Sequence, residues 1–110
     1  MSYTQRISWE NLRSINSATF TGLYQNLGIP LLNPGYIVKL VNTSNVLVTI
    51  SIDGINDMDV APANSYWLYD ETKAGFNSSS QSLPQGTQVM VKGVAGVGLV
   101  YLVSQFIIQT

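Results

Sequence analysis

A chain of 110 residues, 45% apolar and only 10% charged, has material for one hydrophobic core and too much of it for a disordered segment. Five basic and six acidic side chains give a net charge of −1, and Arg6, Arg13, Lys39, Lys73 and Lys92 are scattered, so there is no electrostatic footprint for nucleic acid. Cysteine and histidine are absent, which excludes a disulfide framework, thiolate chemistry and any histidine general base or metal ligand.

The first strand signal is Ala18 to Tyr24, with Phe20 and Tyr24 on one face. Before it, Thr4 to Ser17 reads either as a short helix capped by Ser8 and carrying Trp9, Leu12 and Ile15, or as an extended arm anchored by Ile7 and Trp9. Gly28 to Gly35 contains Pro30 and Pro34 and is a connection. Tyr36 to Val41 is a strand apolar on both faces except at Lys39. Asn42-Thr43-Ser44-Asn45 is a turn of Asx and Ser/Thr type. Val46 to Ile52 alternates with period 2, Val46, Val48, Ile50 and Ile52 facing one way and Leu47, Thr49 and Ser51 the other. The two strands on either side of the turn are predicted to form a hairpin.

Asp53-Gly54 supplies the next turn, Val60 closes a short strand, and Pro62-Ala63-Asn64 makes a corner. In Ser65 to Tyr69, Trp67 and Tyr69 lie opposite Tyr66 and Leu68. Asp70 to Gln85 is a long polar loop; Thr87 to Lys92 is a strand carrying Val89 and Val91. Gly93 to Gly98 is predicted to be the turn of a second hairpin. Leu99 to Ile108 is the last strand, with Leu99, Tyr101, Val103 and Ile107 on one face and Val100, Leu102, Phe106 and Ile108 on the other. A sandwich strand needs only one apolar face, so the second is expected to be covered, by a partner chain or by the N-terminal segment. Together these elements predict an all-β, antiparallel β-sandwich.

The low charge says more. An average globular protein is about 25% charged. Here the polar surface must be built from Ser, Thr, Asn and Gln, which desolvate more cheaply than charges. That composition points to a surface much of which meets protein; a low-charge extracellular β domain is the alternative. The N-terminus lacks the basic-then-apolar layout of a secretory signal, and no apolar run approaches the length of a membrane span. The expectation is a chain made in the cytoplasm, with no membrane partner.

Candidate chemistry is thin. Asp53, Asp57 and Asp59, with Asn56, offer oxygen ligands to Ca²⁺, but the spacing is not that of an EF-hand, and turn-forming Asx residues explain the stretch better. The glycines of Gly93 to Gly98 are not followed by Lys-Ser/Thr or by a helix pattern, so they are no phosphate loop. Adjacent Asp70 and Glu71 do not form a glycosidase pair, whose acids usually come from separate elements. Asn42-Thr43-Ser44 and Asn77-Ser78-Ser79 match the glycosylation pattern without a secretory context. No catalytic residue, cofactor site or metal site is assigned. Tyr66, Trp67, Tyr69 and Phe76 near the polar loop raise a glycan-binding module as a competing class, against the alternative that Trp67 fills the core.

Several stretches taken in order resemble a known group. They are Ala18-Thr19-Phe20-Thr21-Gly22, Lys39-Leu40-Val41-Asn42-Thr43-Ser44, Val48-Thr49-Ile50-Ser51-Ile52-Asp53-Gly54, Asp57-Met58-Asp59-Val60-Ala61-Pro62-Ala63-Asn64-Ser65, Leu68-Tyr69-Asp70, Gly86-Thr87, Val91-Lys92-Gly93 and Val100-Tyr101-Leu102. This order resembles small virion structural proteins of tailed bacteriophages. The resemblance runs from Ser17 to the C-terminus and implies a jelly-roll type β-sandwich over 18–110, with 1–17 as an arm or short helix outside the match. It also implies a virion location, as capsid cement or decoration or as a tail or neck ring component. The partners would be copies of the chain itself, in a homo-oligomer, and a major capsid, tail or neck protein. Ile7, Trp9, Phe106 and Ile108 are the expected interface residues.

Overall fold

A computed structural model describes residues 5–70 and 83–109 of the chain, excepting the side chains of residues 5, 6, 108 and 109. The described strands are β1 (Gln5–Trp9), β2 (Arg13–Asn16), β3 (Gln25–Asn26), β4 (Ile37–Asn42), β5 (Val48–Ser51), β6 (Asp59–Ala61), β7 (Ser65–Asp70), β8 (Met90–Lys92) and β9 (Leu99–Gln109), with a single 3-10 turn at Ser17–Thr19. They form two antiparallel sheets. One has the order β1-β9-β4-β7, with β2 also on β9; the other has the order β3-β8-β5-β6. If β1 and β2 are counted as one interrupted strand, each sheet has four. Their order is then first, last, third, sixth in one sheet and second, seventh, fourth, fifth in the other. That is the double Greek key of a jelly roll.

Period-2 burial builds the core between the sheets. Val38 and Leu40 of β4 and Val100 and Leu102 of β9 face Val48 and Ile50 of β5, Ala61 of β6 and Val91 of β8, all of them buried. Phe20, Leu27, Leu31 and Val89 close it from the connections. Each such side chain contributes about 1.5–3 kcal/mol on leaving water.

Neither expected hairpin exists. β4 pairs with β7 and β9, whereas β5 pairs with β6 and β8. The turn after β4 carries the chain from one sheet to the other, and Asn42 is the reason. It continues the core-facing row of Val38 and Leu40, yet it is polar and 1% exposed. Its amide nitrogen donates to the carbonyls of Val46 (2.8 Å), Ala61 (3.0 Å) and Pro62 (3.1 Å). Its Oδ1 accepts from the Ser44 amide (3.0 Å) and hydroxyl (2.5 Å). A fully partnered amide thus bridges the sheets where a ladder bond would have joined a hairpin. The Gly-rich stretch 93–98 makes the same kind of crossing, from β8 to β9. Gly98 has φ +118°, and a Cβ there would sit 2.7 Å from Ser44 Cα.

Ala18 to Tyr24 is likewise not a strand. Asn16 Oδ1 accepts from the Ala18 amide (2.9 Å) and closes the 3-10 turn, and Gly22 at φ +87° bends the chain again. Side-chain bonds local to the backbone outcompete strand pairing here. Of the two forms expected for the N-terminal segment, the extended one is present and the short helix is not: its residues form β1 and β2 on the edge of β9. Among the described residues no helix is long and apolar enough to cross a membrane.

Candidate interaction surface

The N-terminal segment runs along β9 with one irregularity. Trp9 pairs with Gln105, and Arg13 with Leu102, so four steps on one strand match three on the other. This bulge turns Glu10 and Arg13 toward the interior. Arg13 Nη2 meets Glu10 Oε1 at 2.8 Å, and both side chains are almost wholly buried. Arg13 also donates to the carbonyls of Ile29 (2.8 Å) and Pro30 (3.0 Å). Glu10 accepts from the backbone amides of Leu32 and Asn33 and from the Asn33 side chain. Burial raises the Glu10 carboxyl pKa, but the bonds from Arg13, Leu32 and Asn33 outweigh it and hold the group below its ordinary value. Gly28, at φ +73°, lies against the Arg13 stem, where a Cβ would come within 2.7 Å of Cγ. The latch fixes the connection from β3 to β4 onto the N-terminal strands.

Beyond this latch β1 and β9 continue together. β4 pairs with β9 only as far as Gln105, where the Tyr36 amide donates to the Gln105 carbonyl. Residues 106–109 of β9 then pair with residues 5–8 of β1 alone among the described strands. At about 3.3 Å per residue, this two-stranded ribbon extends about 13 Å past β4. Residues paired across an antiparallel ladder share a face, so Ile7 and Ile107 lie together on one side, next to Trp9 and Gln105. Ser8 and Phe106 lie on the other. Ile7, Phe106 and Ile107 are half-buried, and Trp9 is 62% exposed. Ile108 pairs with Arg6, and its side chain lies outside the described residues. The four expected interface residues therefore fall on one ribbon but not on one face.

The outer face of the same sheet is a second surface. Tyr66, Val41 and Tyr101 form one cross-strand row, Leu68, Lys39 and Val103 the next, and Asp70, Ile37 and Gln105 a third. An open trough of about 690 Å³ lies over these rows, with Asn64, Ser65 and Thr43 at one end. Tyr66 is 61% exposed. The last strand is thus covered by its own chain along both edges, by β4 and by β1 and β2, and, among the described residues, not over this outer face. Trp67 is on the opposite side of β7, packed against the core, with Nε1 donating to Asp59 Oδ2 at 2.6 Å. It packs as a core residue, whereas Tyr66 is the exposed aromatic of β7. Phe76, Glu71 and Asn77-Ser78-Ser79 lie outside the described residues.

The three aspartates do not converge. Asp53 Oδ1 accepts from the amides of Ile55 (2.8 Å) and Asn56 (2.9 Å) and from the Ser51 hydroxyl (2.8 Å). The bonds from Asn56 and Ile55, followed by Ser51, hold its pKa far below normal. Asp57 Oδ1 accepts a hydrogen bond from the Tyr24 hydroxyl and pairs with Lys92 Nζ at 2.8 Å, and Lys92 also sits over the Tyr24 ring, 4.7 Å from its centre. Burial first, then Asp57, pushes the Tyr24 hydroxyl up to about 12. Asp59 bonds Trp67 and the Val60 amide. These are turn and staple interactions, and among the described residues no three acidic groups gather as a cation site. Compared with protein-family models, curated protein sequences and solved structures, the chain shows no match.

Proposed function

We propose that this chain is a non-enzymatic structural protein that joins a larger assembly, a tailed-bacteriophage particle, as capsid cement or decoration, with a tail or neck ring as the variant arrangement. The β1–β9 ribbon carries this reading. A two-stranded ribbon is marginal in water on its own. This one extends past its sheet and puts apolar side chains on both faces, Ile7 and Ile107 on one and Phe106 on the other. Such a ribbon gains stability by seating against a neighbour, at about 25 cal/mol per Å² of apolar area before association costs. The low charge of the chain and its resemblance to small virion proteins support the same reading. Many copies on a symmetric shell would add avidity.

The test is incorporation into particles by the wild type and by an Ile7→Ser/Phe106→Ser variant. Loss of incorporation by a variant whose sandwich still melts cooperatively supports the reading. Unchanged incorporation removes the ribbon from it, and a wild-type chain that associates with no virion protein removes the reading itself.

A further inference from the structure

We infer that the trough on the outer face of the five-stranded sheet is a binding site for a short oligosaccharide. The site adjoins the base of the ribbon at Gln105, which is paired with Trp9, and is independent of the docking role proposed for the ribbon. Its volume of about 690 Å³ lies within the range of ligand sites, roughly 300–1,000 Å³. Its lining has two chemistries in alternation. Ile37, Val41, Leu68 and Val103 form an apolar floor, and the exposed Tyr66 ring stands over one end of it. Lys39, Asp70, Gln105, Asn64 and Ser65 bring amine, carboxylate, amide and hydroxyl groups among them.

A sugar ring matches that alternation. It has a C–H face that packs on an aromatic plane, and an edge of hydroxyls that both donate and accept. The competing occupants fit less well. An extended peptide recognised through its main chain needs an open strand edge. Here the floor is a sheet face, where β4 has β7 on one side and β9 on the other. A purely apolar ligand would desolvate the Lys39 amine and the Gln105 amide that line the trough and offer them nothing in return. A nucleic acid would need several phosphate-binding cations, and among the described residues Lys39 is the one cationic side chain in the lining. Tyr66 is placed by the alternation of β7, which sends Trp67 and Tyr69 to the core and Tyr66 and Leu68 outward. The glycan-facing aromatic is therefore Tyr66.

The experiment is binding of the full chain to an immobilised library of neutral and acidic tri- to pentasaccharides, followed by calorimetry with the best-bound sugar. The wild type is expected to bind a defined subset. Tyr66→Ala and Gln105→Ala are each expected to weaken binding about tenfold or more. Ile55→Ala, at an exposed turn beyond β5 in the other sheet, should leave it unchanged. Tyr66 is largely exposed, so Tyr66→Ala should melt with the wild type, and that melt separates lost binding from lost fold. Absence of binding to any sugar overturns the inference, as does a bound sugar that is indifferent to both trough substitutions. Protection of the trough by a protein partner in place of a sugar also overturns it and gives this face to assembly.

Discussion

The crossing at Asn42 and the ribbon of β1 and β9 are opposites. At Asn42 a polar side chain is sealed inside the molecule with all its groups partnered. In the ribbon, apolar side chains extend past the body with no third strand beside them among the described residues. Burial of a polar group is tolerated only with complete hydrogen bonding, so Asn42 specifies where the chain changes sheets. Of the ribbon's apolar side chains Trp9 is the one that is 62% exposed, and on the proposed reading it is here that another surface would seat. Stability should be concentrated in the first region and association in the second.

Substitutions can break that division. Asn42→Leu removes the bonds to the carbonyls of Val46, Ala61 and Pro62 and those from the amide and hydroxyl of Ser44. It should destabilise the fold by about 3 kcal/mol, read by denaturant melts. An Asn42→Leu protein as stable as the wild type would mean that the crossing is held by the apolar core alone. Next comes Gly28→Ala, which puts a side chain at positive φ against the Arg13 stem. It should cost about 2 kcal/mol by the same measurement and loosen the latch that anchors the ribbon.

The latch should also respond to acid. The Glu10 carboxyl has a lower pKa folded than unfolded, so its contribution is complete above the unfolded value of about 4.3 and is lost as pH falls through the folded value. Acid titrations should show stability falling below about pH 4, and Glu10→Gln should flatten that part of the curve. An identical acid profile for the variant would remove Glu10 from the acid response. The smallest effect on the fold belongs to the ribbon. Ile7→Ser and Phe106→Ser should each shift the sandwich by no more than about 1.5 kcal/mol in thermal melts, because these side chains lie beyond β4 and are only half-buried.

The sequence carried the burial pattern well and the pairing poorly. Period 2 in Val46 to Ile52 put Val48 and Ile50 on the core side, where they are, and in Ser65 to Tyr69 it separated Trp67 and Tyr69 from Tyr66 and Leu68 without saying which pair faces the core. Periodicity reports which face is buried, and the faces of β4 and β5 meet across the core equally well whether the strands share a sheet or oppose each other. The missed signal was Asn42, a polar residue in register with Val38 and Leu40. A buried amide at a strand end asks for carbonyls from another strand, which a simple hairpin would not leave open. Ala18 to Tyr24 failed for a related reason: strand-forming residues were overruled by the Asn16 cap and by Gly22. The trough could not be read from sequence, since its rows are cross-strand neighbours set by register between β4, β7 and β9. The ribbon residues were legible as apolar excess on both faces of the last strand, but their projection beyond β4 depends on where β4 begins.

The most direct test of the division between body and ribbon is the mass of the purified chain by light scattering, alone and mixed with capsid, tail and neck proteins of a tailed phage. The wild type is expected to form a defined oligomer or to join one of those proteins, and the Ile7→Ser/Phe106→Ser variant to remain a folded monomer in every mixture. A wild type that stays monomeric throughout, or a variant that associates as the wild type does, would contradict the assignment of the ribbon as the docking element.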